Sequence, residues 1–177
     1  MLLFSDRSIW TMVHGLILSG GAMMALAAML FALNTMTASG AAPAPRRTSI
    51  ALAWLSVSAT VLLWLSVLMG TYKVFPLYRA TPPEGLALLA AYPRAMLMAS
   101  AETRWLHAFG MEIKEHMPWI AGMLTTAVAF ITVRYRATLL ADAALRRVAS
   151  SLTAVAFVIV AVVALLGVFV NKVAPLQ

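Results

Sequence analysis

Four apolar runs constrain this 177-residue chain more than any other feature, covering about 9–33, 50–70, 117–133 and 148–170. A helix needs about 20 apolar residues to cross a hydrocarbon core. Three of the runs reach that length, and the third is prefaced by a helical-looking approach from Glu102, "ETRWLHAFGMEIKEH". None shows the polar alternation of a membrane barrel strand. The composition agrees: 63% of residues are hydrophobic and 11% charged, about half the charged fraction of a soluble domain. The first run is too long for the apolar part of a signal peptide, and Asp6 disturbs the basic stretch such a peptide would carry. The expected fold is therefore an all-α integral membrane protein. It forms one domain over 1–177, a four-transmembrane-helix bundle with an outer loop at 71–116.

Charge sets the expected orientation. The formal net charge is +7, but the arginines sit in short loops between apolar runs, which points to membrane topology and not to nucleic acid. Arg46 and Arg47 lie between runs one and two, and Arg134, Arg136, Arg146 and Arg147 oppose only Asp142 between runs three and four. Loops rich in Lys and Arg stay in the cytoplasm. Both termini and the 71–116 segment are then expected outside, in a bacterial inner membrane. No cysteine is present, which excludes disulfides, iron–sulfur clusters, thiolate metal sites and c-type haem attachment in this chain.

The outer segment opens with "TYKVFPLYR", whose aromatics suit the membrane interface. "TPPEG" then stops any helix. "LALLAAYPRAMLMAS" is too short to span and is expected in the interface or against a partner. Pro118, near the start of the third run, predicts a break or kink near His116.

The "KVFPL" at 73–77 recurs as "KVAPL" at 172–176. Each copy follows an apolar run and a glycine, Gly70 or Gly167, and each lysine suits the membrane edge with a proline to end the helix. His14 and His116 also sit at similar places in runs one and three, each six residues before a glycine (Gly20, Gly122). Coincidence in an apolar alphabet is one reading. The other is two repeated helical hairpins related by a pseudo-twofold axis along the membrane normal, which would make His14 and His116 counterparts.

His14 is the only ionisable residue deep in run one, about 7–8 Å below its outer boundary at 1.5 Å per residue. Its face continues through Leu18, Gly21, Ala25, Ala28 and Ala32, and the small residues among them let another helix come close. A neutral core imidazole and a functional group are both compatible with that setting. The cluster "HAFGMEIKEH" holds His107, Glu112, Lys114, Glu115 and His116. Read plainly, it is an interfacial helix with solvated charges. Read functionally, His116 faces His14 across the bundle, with Glu112 as a supporting acceptor or proton relay and His107 as an alternative ligand.

Two imidazoles from different helices suit the axial positions of haem b, whereas zinc would want further ligands. A quinol site is also compatible, with His14 or His116 accepting a proton near the outer surface and Trp10 or Trp119 walling the ring. Met12 or Met117 offers a variant haem ligand, although methionines in such a chain are more often ordinary apolar filler. Four spans with histidines resemble membrane cytochromes b in outline, but the paired histidines those proteins carry along single helices are missing. Ser56, Thr60 and Trp64 share a face of run two, and such hydroxyls usually hydrogen-bond between helices.

Three function classes follow. The first is a small membrane subunit of a respiratory or photosynthetic electron-transfer complex, holding haem b or a quinol near the outer face. Its partners would be lipid and other subunits, including a periplasmic or membrane redox protein. The second is a cofactor-free structural or assembly subunit that docks a partner through 71–116. The third, a proton or cation transporter component, fits least, since the charges gather at one membrane face. A stand-alone enzyme is not expected.

Overall fold

The computed structural model describes residues 4–35, 46–85 and 89–176. Among them are four long helices, Asp6–Thr35, Arg46–Arg79, Leu106–Arg134 and Ala143–Val173, and no strand. All four are long and apolar enough to cross a membrane, as the four apolar runs require. We call them spans 1 to 4. Large apolar side chains such as Leu16, Met24, Phe31, Trp54, Phe130 and Val158 are exposed on their outer faces. Helices apolar all round are stable in that state only when lipid replaces water.

Each span packs on its two neighbours in chain order, and span 4 closes on span 1, so spans 1 and 3 stand on one diagonal and 2 and 4 on the other. Neighbours run antiparallel. The beginning of span 1 meets the end of span 2 through His14 and Ser66, and its end meets the beginning of span 4 through Asn34 and Ser150. The core comprises Ala22, Leu26, Met29, Leu33, Leu52, Ala59, Leu63, Ala121, Val128, Ala149 and Ala156, among others. Small residues where backbones approach and larger ones between them are how lipid-embedded helices associate, because burial from water offers little there.

Hydroxyls tie spans 2 and 3. Ser56 Oγ bonds Thr132 Oγ1, and Thr60 Oγ1 donates to the Ser56 carbonyl at 2.9 Å and the Thr125 carbonyl at 3.0 Å. Trp64 Nε1 donates to Thr126 Oγ1 at 3.0 Å. Every buried side-chain polar atom among the described residues has a partner.

Three π-helical turns interrupt the spans, at Val13–Ser19, Gly70–Val74 and Leu106–Gly110. All lie at one end of the bundle. The first corrects a sequence expectation. A π turn spends an extra residue per turn, so the face beyond it slips by one position. Beyond that turn the buried residues of span 1 are Ala22, Leu26, Met29 and Leu33, each one place after the expected Gly21, Ala25, Ala28 and Ala32.

The prolines also behave differently from expectation. Pro76 does not end span 2, which continues through the π turn to Arg79. A proline there follows a stretch whose hydrogen-bond pattern is already shifted, so its missing donor costs little. Pro118 lies inside a continuous α-helix, Met111–Arg134, and the irregular turn falls earlier, at Leu106–Gly110. The second echo behaves as expected: span 4 ends at Val173, just before Pro175.

Within the outer segment, a turn at Glu84 and Gly85 leads to a short helix, Pro93–Ala99. Gly85 has φ +79°, the left-handed region glycine tolerates best. The short helix packs over part of the bundle end. Leu97 is fully buried beside Tyr78, Leu106, Met111 and Val170, so this helix covers its own chain's spans.

Candidate functional site

A cavity of about 700 Å³ opens at the end of the bundle that carries the π turns, reaching inward to Leu63, Ser66 and Val160. Its walls are mainly apolar, with His14, Lys114, Glu115, His116, Trp119 and Tyr78 among the lining residues. A pocket of this size with a few converging polar groups is the usual form of a small-molecule site.

His14 is the most constrained of these groups. It lies within the first π turn, and its Nδ1 sits 2.9 Å from the Ser66 carbonyl and 3.0 Å from Ser66 Oγ. A carbonyl only accepts, so Nδ1 carries the proton in the neutral ring. The His14 carbonyl in turn accepts from Ser19 Oγ at 3.0 Å and from Ser66 Oγ at 3.2 Å, and the two hydroxyls are 2.6 Å apart. The opened hydrogen-bond ladder of the π turn is what leaves this carbonyl available. Gly70 completes the cradle: a Cβ there would lie 2.8 Å from His14 Cε1. Only glycine permits this approach without moving the ring. Nε2 has no hydrogen-bond partner among the described residues and is not a buried atom, and the ring it belongs to lines the cavity.

His116 also lines the cavity but is held differently. Its Nδ1 donates to the Glu112 carbonyl at 2.8 Å and lies 3.7 Å from Glu112 Oε2. With 72% of its side chain exposed, it makes no bond to His14. Glu112 is likewise exposed and engages only its own helical turn. The structure therefore brings His14 and His116 to one cavity without bringing them into contact.

His107 lies in the third π turn, where its Nδ1 is 2.8 Å from the hydroxyl of buried Tyr78. The two rings are tilted, with centroids 5.9 Å apart. Tyr78 lines the cavity and His107 does not. Trp119 stands on the wall, edge-on to Trp64 at 5.7 Å between centroids.

Lys114 is a residue whose role its sequence setting hides. A lysine in "MEIKEH" reads as a solvated charge, yet its Nζ turns to span 4, 3.4 Å from the Val163 carbonyl and facing Gly167. The only ion pair among the described residues is that of His116 with Glu112, so Lys114 has no carboxylate partner. The signal available in sequence was the glycine at 167, one of the pair preceding the repeated "KVxPL".

Haem and zinc fit this set unequally. Among the described residues no group of three or more His, Asp or Glu could hold a metal ion, which speaks against zinc. Haem b needs only two axial nitrogens, and His14 and His116 each offer an Nε2 with its Nδ1 anchored on a backbone carbonyl. Comparisons with protein-family models, with characterised proteins and with solved structures find no match for this chain.

Proposed function

We propose that this chain is a small membrane subunit of an electron-transfer complex and that its end cavity binds a quinol ring. The observation that carries the reading is His14: a fixed imidazole, Nδ1 on Ser66 and Nε2 without a protein partner, on the wall of a mainly apolar cavity of about 700 Å³. A lone pair at the wall of a mainly apolar cavity is an acceptor that a ligand hydroxyl can satisfy. Oxidation of a quinol releases two protons and two electrons. Nε2 takes one proton, and Glu115, also on the wall, takes the other. The electrons leave one at a time to a haem or iron–sulfur centre on a partner subunit, a periplasmic or membrane redox protein. By the arginine bias, the cavity end faces out of a bacterial inner membrane, with both termini outside. The same reading takes the two hairpins as repeats about a pseudo-twofold axis along the membrane normal.

Haem b between His14 and His116 is the second reading, favoured by two imidazoles on one cavity, each with its Nδ1 on a backbone carbonyl. One preparation separates the two. Purified protein is extracted for quinone and recorded as a reduced-minus-oxidised spectrum, wild type against H14A. Co-extracted quinone lost in H14A, with no Soret or α band, is the expected result. A haem spectrum lost in both H14A and H116A would replace quinol with haem. Neither quinone nor haem would leave a structural subunit.

A further inference from the structure

Lys114 and His14 occupy matching places in the two hairpins. In the first hairpin a basic residue of span 1, His14, lies against Gly70 near the end of span 2. In the second a basic residue of span 3, Lys114, lies against Gly167 near the end of span 4, where a Cβ would stand 3.2 Å from Nζ. Both side chains line the same cavity, from helices on one diagonal of the bundle. If the hairpins are repeats, the counterpart of His14 is Lys114 and not His116. Resting on the quinol reading above, we infer that Lys114 is the second contact of the same ring. One quinol hydroxyl donates to His14 Nε2, and the other oxygen accepts from Lys114 Nζ.

The chemistry of the two groups supports this pairing. Neutral His14 offers a lone pair at Nε2 and so needs a donor. Lys114 offers only donors, and its one bond, 3.4 Å to the Val163 carbonyl, is longer than an ordinary N–H···O contact. No carboxylate of the described residues neutralises it. An ammonium group left in apolar surroundings is costly unless an acceptor reaches it. A ring with oxygens on opposite edges meets both requirements, and its reduced form meets them better. A quinone has no hydroxyl to give to Nε2, so the site is expected to prefer quinol.

The test is titration of the purified protein with a short-chain benzoquinol and the matching quinone. Saturable quenching of tryptophan fluorescence is followed, with W119F fixing the share that comes from the cavity wall. Wild type is expected to bind quinol at least several-fold tighter than quinone. K114M is expected to bind quinol about tenfold to a hundredfold more weakly, the range for a lost charge-assisted hydrogen bond, with K114R partly restoring affinity. A para-alkylphenol, which has one oxygen, should bind through His14 and respond equally in wild type and K114M. That comparison also controls for misfolding, because a collapsed K114M cavity would lose both ligands. Wild type that binds no quinol overturns the function reading itself. Quinol binding that is unchanged in K114M overturns this inference and leaves that reading standing, as does a K114M loss equally large for the phenol.

Discussion

Substitution of Gly70 by alanine tests the cradle that holds His14. The added Cβ would fall 2.8 Å from His14 Cε1, 3.2 Å from Nδ1 and 3.3 Å from Nε2. To reach the 3.4 Å of ordinary contact the ring must retreat by about 0.6 Å. Ser66 lies one turn away on the same span, so that retreat stretches the 2.9 Å bond to its carbonyl to about 3.5 Å, outside the range of a good hydrogen bond. Overpacking of this kind costs about 1–3 kcal/mol, and the weakened bond adds about 0.5–1.5 kcal/mol. Alanine returns about 1 kcal/mol of helix propensity. The expected net loss is about 0.5–3.5 kcal/mol. G15A is the control: Gly15 neighbours His14 in sequence but has open space around it, so its alanine should be neutral or stabilising by up to about 1 kcal/mol. Unfolding in mixed micelles measures both. Nitrogen-15 NMR of the imidazole reports whether Nδ1 keeps its proton. A G70A protein as stable as wild type, with an unchanged His14 spectrum, would refute the cradle.

Other outcomes follow from the same geometry. S66A removes the hydroxyl that links Ser19 to His14 but keeps the Ser66 carbonyl. It should cost about 1 kcal/mol in stability and leave the His14 tautomer unchanged by NMR. L97A empties a fully buried position where the short helix caps the bundle. Expected are a loss of about 2–5 kcal/mol and faster proteolysis around 93–99. A double-mutant cycle on Ser56 and Thr132, which bond across spans 2 and 3, should give a coupling of about 0.5–2 kcal/mol in mixed micelles.

The four spans were legible because length and hydropathy decide membrane crossing almost alone, and the core and lipid faces of each helix are both apolar. What lay beyond reading was phase. Nothing in "VHGLILS" announces a π turn, yet that turn moves the packed face from Gly21, Ala25, Ala28 and Ala32 to Ala22, Leu26, Met29 and Leu33. His14 was recognisable, since an ionisable group inside an apolar run is conspicuous. Lys114 was not, because four neighbours in "EIKEH" and beyond make it look like one solvated charge among several. Its inward turn depends on Gly167, about fifty residues later. Pairing of Tyr78 with His107 likewise joins two positions separated by the proline-rich turn and the capping helix. The glycines before "KVFPL" and "KVAPL" were visible as an echo, but their use as space for basic side chains emerges only when the hairpins are packed.

The central claim is that the cavity at the π-turn end receives a quinol ring at His14. Photoaffinity labelling with an azido-quinol, in membranes containing the full-length protein, tests it most directly. Mass spectrometry should locate saturable label on peptides covering 11–19, 63–78, 111–119 or 160–176, which carry most of the cavity lining. Excess quinol should compete it away, and H14A should abolish it. Label confined to the lipid-facing residues, or label that excess quinol does not displace, would contradict the account.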